Sequence, residues 1–142
     1  MKIRFEENMY GHFREVKTTG RSGAFDFSCR VEADLFQFLQ DRNTRLTGTV
    51  SMEGIAQEAP MEGTLRIDPV FGRELVYDFT FSKGRSRYRF LGRKSVRFLD
   101  PVSSMTTLSG KIERDGVTLG DVDSRFNLLE FPGFLLSFRL GL

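Results

Sequence analysis

Residues 2–13 read KIRFEENMYGHF, and they alternate almost without a break. One parity carries Ile3, Phe5, Glu7, Met9, Gly11 and Phe13; the other carries Lys2, Arg4, Glu6, Asn8, Tyr10 and His12. Successive side chains of a strand point to opposite faces, so the first row suits a core and the second suits water. Glu7 stands in the middle of the dry row and is the residue that needs explaining.

The same period runs through most of the chain. AFDFSCRV puts Phe25, Phe27, Cys29 and Val31 on one face, and RLTGTVSMEGIA puts Leu46, Gly48, Val50, Met52, Gly54 and Ala56 there. MEGTLRID, ELVYDFTF and YRFLGRKSVRF continue with Leu65, then Tyr77, Phe79 and Phe81, then Tyr88, Phe90, Gly92, Lys94 and Val96. Further rows follow from Thr106 to Ile112, Val122 to Leu128 and Phe134 to Leu142. Turn signals separate them, among them Lys83-Gly84, Asp115-Gly116 and Asp100-Pro101. Only EADLFQFLQDR breaks the period, with Leu35, Phe36, Phe38 and Leu39 at helical spacing behind a cap at Asp34.

These rows predict an all-β fold: a single antiparallel meander β-barrel of the lipocalin or calycin kind, with about nine strands and one short helix. So many strands joined by short connections must close or fold over to lose their edges. The 142 residues form one domain, 1–142, large enough for a core without disulfides. Fifteen Phe and three Tyr with no Trp, beside fourteen Gly, favour strands over helices. Gly11, Gly48, Gly54, Gly63, Gly92 and Gly110 fall on the inward parity, which implies strong strand coiling, an internal cavity, or both.

Several function classes drop out. The net charge of +2 gives no electrostatic footprint for nucleic acid. No apolar run is long enough to cross a membrane, and a lone Cys29 points to a reducing, cytoplasmic setting. His12 is the only histidine and lies on the wet parity, which denies a histidine triad or a metal cluster. No nucleotide, flavin or zinc signature occurs, so no cofactor is expected. Cys29 reads as a core residue.

Glu7 acquires a partner by the same parity. Lys94 is the one cation that interrupts a clearly apolar row, and a buried charge is tolerable only when paired and hydrogen-bonded. The candidate site is therefore Glu7, Met9, Tyr77, Tyr88 and Lys94, with the tyrosine hydroxyls completing a polar network. Three readings stand: a structural ion pair, a polar anchor at the bottom of an apolar pocket, and a proton-transferring pair in a small isomerase or cyclase. On the opposite parity Arg85, Arg87, Arg89, Arg93 and Arg97 form a stripe. It suits either an acidic partner surface or cross-strand pairing with acids such as Asp78 and Glu74.

The spaced set of Phe5, Glu7, Met9 and Gly11, then Gly92, Lys94 and Val96, then Thr106, Thr107 and Leu108 resembles a known module. It is similar to a domain attached to some bacterial cholesterol-oxidase-like members of the glucose-methanol-choline oxidoreductases. The chain departs from that pattern at Ser104-Met105, and it lacks the flavin domain. The resemblance thus implies an accessory module for a lipophilic substrate, a partner oxidoreductase, and no oxidase activity of its own. The leading expectation is non-catalytic binding of a small lipophilic molecule, sterol-like or fatty-acid-like. The alternative is docking of a partner enzyme through the arginine stripe.

Overall fold

A computed structural model of the protein describes residues 2–16, 21–34, 40, 43–67, 74–95, 107–126 and 139–141. Nine strands follow one another: β1 (Lys2–Glu15), β2 (Ser22–Asp34), β3 (Asn43–Met52), β4 (Ala56–Ile67), β5 (Glu74–Lys83), β6 (Ser86–Ser95), β7 (Thr107–Arg114), β8 (Val117–Phe126) and β9 (Arg139–Gly141). All pairings are antiparallel, and each strand from β2 to β8 lies beside its sequence neighbour. β1 closes the ring by pairing with β2 on one edge and β8 on the other.

Eight strands therefore make the closed meander barrel, one fewer than the alternation suggested. β9 pairs only with Lys2, Ile3 and Arg4, on the edge of β1 beyond the reach of β8. Closure removes the free edges that an open sheet of this length would expose. The short helix expected behind Asp34 falls on residues 35–39, 41 and 42, outside the described residues. Asp34 itself ends β2 and pairs with Lys2, so it is a strand residue. No helix among the described residues is long and apolar enough to cross a membrane.

The two ends of the barrel differ. The β3–β4, β5–β6 and β7–β8 connections are tight turns, and all leave from one end, the turn end. Asp115 and Gly116 both adopt positive φ (50° and 84°), the pair of left-handed conformations that a two-residue hairpin turn demands. The connections after β2, β4, β6 and β8 all leave from the opposite end, the loop end.

The inward rows form one core from Phe13 and Phe25 at the turn end to Val31 and Leu46 toward the loop end. An eight-stranded barrel is just wide enough for side chains to fill, and here phenylalanines fill it. The Phe90 ring lies 4.9 Å from Phe79, 5.4 Å from Phe25 and 5.7 Å from Phe27, centroid to centroid. Ring pairs at these separations add about 0.5–1.5 kcal/mol each beyond area burial.

The inward glycines make this packing possible. A Cβ on Gly92 would stand 2.5 Å and 2.7 Å from the Phe90 ring, and one on Gly110 would stand 2.9 Å from it. At Gly63 it would strike the backbone of Asp78 and Phe79 on the neighbouring strand. Gly54 departs from the expected inward row: it lies exposed in the β3–β4 turn at φ 77°, where a side chain is disfavoured. The expected strand through residue 56 is thus broken at Glu53–Ile55, and Ile55 donates its N–H to the Met52 carbonyl at 2.9 Å. β4 begins at Ala56 and accommodates Pro60 opposite Thr49.

This interlock makes a measurable claim. Gly92→Ala should cost about 1–3 kcal/mol in urea denaturation, because the new methyl displaces the Phe90 ring. In a Phe90→Leu background the same change should cost much less. Equal costs in the two backgrounds would show that glycine and ring are not coupled.

Candidate functional site

Glu7, Tyr77 and Lys94 meet inside the barrel. In a ring of eight strands β1 and β5 are four strands apart in either direction, which puts them on opposite walls. Glu7 projects from β1, and Tyr77 projects from β5 across from it. Lys94 comes from β6, where Leu75 opposes it and Tyr77 opposes Gly92, so Lys94 and Tyr77 are diagonal neighbours on one face. The three side chains bridge the lumen from wall to wall.

The hydrogen bonds close into a ring. Lys94 Nζ donates to Glu7 Oε1 and, at 3.1 Å, to the Tyr77 hydroxyl oxygen. The Tyr77 hydroxyl donates to Glu7 Oε2 at 2.8 Å. Both carboxylate oxygens and two of the three ammonium N–H groups are used. The ammonium also lies 5.1 Å from the Tyr77 ring centroid, within cation–π range.

Burial is nearly complete, at 3% exposure for Glu7 and Lys94 and 1% for Tyr77. Taking each ion out of water costs several kcal/mol, and only mutual attraction with well-formed hydrogen bonds offsets it. Burial pushes the Tyr77 hydroxyl well above its ordinary value of 10.0, with the Glu7 charge adding to the effect. The phenol therefore keeps its proton and acts as a donor to Glu7. Cys29, opposite Glu7 in the β1–β2 register, is raised from 9.0 by burial and then by Glu7, with Lys94 opposing. It is a thiol, and a buried thiol is a poor nucleophile.

The other expected site residues have different fates. Met9 is fully buried at the next inward position of β1 and packs in the apolar core. Tyr88 does not join the network. It lies six residues from Lys94 on β6, about 20 Å along an extended strand, and stacks on Phe81 with centroids 5.0 Å apart. Both tyrosines are inward, but the register sends them to opposite ends of the barrel.

On the outer face the arginine stripe is broken up. Arg85 sits in the β5–β6 turn, and the Arg87 backbone N–H donates to Asp115 Oδ1 at 2.9 Å. Arg89 forks onto Asp78 across the β5–β6 pair, at 2.9 Å and 2.7 Å. Arg93 also has a partner, and Arg97 lies outside the described residues. For Arg89 the cross-strand account is the one realised.

Ser124 is the polar position that sequence reasoning left without a role. It is fully buried on β8 facing Gly11, and its hydroxyl has no hydrogen-bond partner among the described residues. Its place on an inward row was the available signal. Among the described residues no group of three or more His, Cys, Asp or Glu side chains is arranged to hold a metal, and His12 is exposed on the outer wall. No protein-family model, no curated protein and no solved structure matches the chain.

The retained tyrosine proton has a pH signature. A group whose pKa is raised by folding contributes stability that is complete below its unfolded value and is lost as pH rises through the folded one. In a Cys29→Ala background, which removes the second raised group, unfolding free energy should decline as pH climbs beyond 10.0. Tyr77→Phe in that background should be less stable at neutral pH by about 1–3 kcal/mol, since Glu7 loses a donor. It should also show a flatter alkaline decline. Identical alkaline slopes with and without the hydroxyl would contradict the buried Tyr77–Glu7 bond.

Proposed function

We propose that the protein is a non-catalytic carrier of a small lipophilic molecule, which enters at the loop end and stops against the Glu7–Tyr77–Lys94 ring. The single observation that carries this reading is a complete polar ring spanning a lumen whose other described lining is mostly apolar. Below it, toward the turn end, Phe25, Phe27, Phe79 and Phe90 pack ring against ring and form a floor. Among the described residues its loop-side wall is mostly apolar, with Val31 and Leu46 buried, Leu75 half-buried and half-buried Thr44 the polar member. An apolar wall with a few convergent polar groups is the usual composition of a small-molecule site, and barrel mouths are a frequent place for one.

The ring's own bonding weighs against an isomerase or cyclase. Both Glu7 oxygens accept within the ring, and the Tyr77 proton is held by burial, so neither the carboxylate nor the phenol stands ready to exchange a proton with a substrate.

The filled turn-end half of the barrel favours a second reading, a solid module that docks a partner protein by its outer wall. The resemblance to an oxidoreductase accessory domain fits this reading, with an oxidoreductase as the partner. The paired state of Arg89 weakens the arginine stripe as the docking surface, because its charge is already met by Asp78.

Native mass spectrometry of the purified chain, followed by titration with sterols and long-chain alcohols, separates the two. The carrier reading predicts saturable binding of one apolar molecule per chain. Failure to bind any of them, together with salt-sensitive association with a flavin oxidoreductase, would favour docking instead.

A further inference from the structure

We propose that the ring selects a ligand with a neutral hydrogen-bonding end, a hydroxyl or carbonyl group, and rejects a carboxylate. This deepens the carrier reading above and rests on it.

Charge balance comes first. The ring holds one carboxylate and one ammonium, so it is already neutral as it stands. Among the described residues the buried polar or charged side chains are Glu7, Lys94 and Ser124, and so no second buried cation is present to receive another anion. A fatty-acid carboxylate arriving at the ring would put two negative groups around one ammonium in a site that excludes water. Like charges at close range disfavour ionisation, and burial disfavours it again.

Donor count comes second. The Tyr77 O–H is committed as a donor to Glu7 Oε2, and burial keeps its proton on the phenol oxygen. Glu7 has given both oxygens. Each Glu7 oxygen keeps a second lone pair that can accept a hydroxyl proton, and the unused donor among these groups is the third N–H of Lys94. It suits one acceptor atom, such as a ketone oxygen or the oxygen of an alcohol. A neutral oxygen makes that bond without changing the net charge, whereas a carboxylate must first take up a proton.

The test compares a long-chain primary alcohol, a methyl ketone and a carboxylate of equal carbon number, each titrated against the wild-type protein. At neutral pH the alcohol and ketone should bind about tenfold or more tightly than the carboxylate. The carboxylate's affinity should rise about tenfold for each unit of falling pH, because its binding takes up one proton, while the alcohol's affinity stays flat. Glu7→Gln leaves the ring with a net positive charge and should reverse the preference in favour of the carboxylate. Should that variant fail to fold, the wild-type pH series decides alone. Carboxylate binding as tight as alcohol binding, with no pH dependence, would overturn the selectivity while leaving the carrier reading intact. Binding of none of the three probes would overturn the carrier reading and the selectivity with it.

Discussion

A pair of opposite charges buried from solvent ties one wall of this barrel to the other. Lys94 on β6 and Glu7 on β1 are both nearly inaccessible, and each would be intolerable there alone. Tyr77 completes the arrangement by donating to the carboxylate and accepting from the ammonium. A local contact would hold only neighbouring strands. This one spans the lumen, and so it couples the closing strand of the barrel to the strands farthest from it. It also fixes a level inside the barrel, with aromatic packing on its turn side and buried Val31 and Leu46 on its loop side.

Below that level glycine and phenylalanine act together. Phe90 occupies the space that side chains at Gly92 and Gly110 would take, and it meets Phe25, Phe27 and Phe79 in the middle of the lumen. At the turn end the inward glycines give up their side-chain space to aromatic rings. Under the carrier proposal, a ligand sits on the loop side of the polar ring. The same packing gives the ring a rigid base, since the residues beneath it cannot shift without disturbing several aromatic contacts.

Much of this was legible in the sequence because strand parity is a short-range property. Counting every second residue placed Glu7, Tyr77 and Lys94 on inward rows, and the scarcity of inward charges made a Glu7–Lys94 meeting the simplest way to satisfy both. What parity cannot supply is depth. Tyr77 and Tyr88 share an inward orientation, yet the β5–β6 register sets one beside Lys94 and the other at the far end against Phe81. Gly54 failed for a related reason: SMEGIA keeps the alternation while the backbone turns, as the positive φ at Gly54 and the Ile55–Met52 hydrogen bond reveal. The strand count was high by one because the final segment adds three paired residues at the start of β1 and takes no part in closing the ring. The arginine stripe was visible as a row, but its charge state depended on Asp78 lying diagonally across from Arg89, which again is register.

The central claim is that Glu7 and Lys94 meet in a dry interior, and a double-mutant cycle measures that meeting directly. Chemical denaturation of the wild type, Glu7→Leu, Lys94→Met and the double variant gives the coupling energy. Each single change should cost about 3–5 kcal/mol, because it leaves an unpaired buried charge. The double variant should recover most of that loss, and a well-packed apolar pair can match or exceed the wild type in stability. Losses that simply add across the cycle would mean that the two side chains do not interact, and would contradict the polar ring on which this account of the barrel rests.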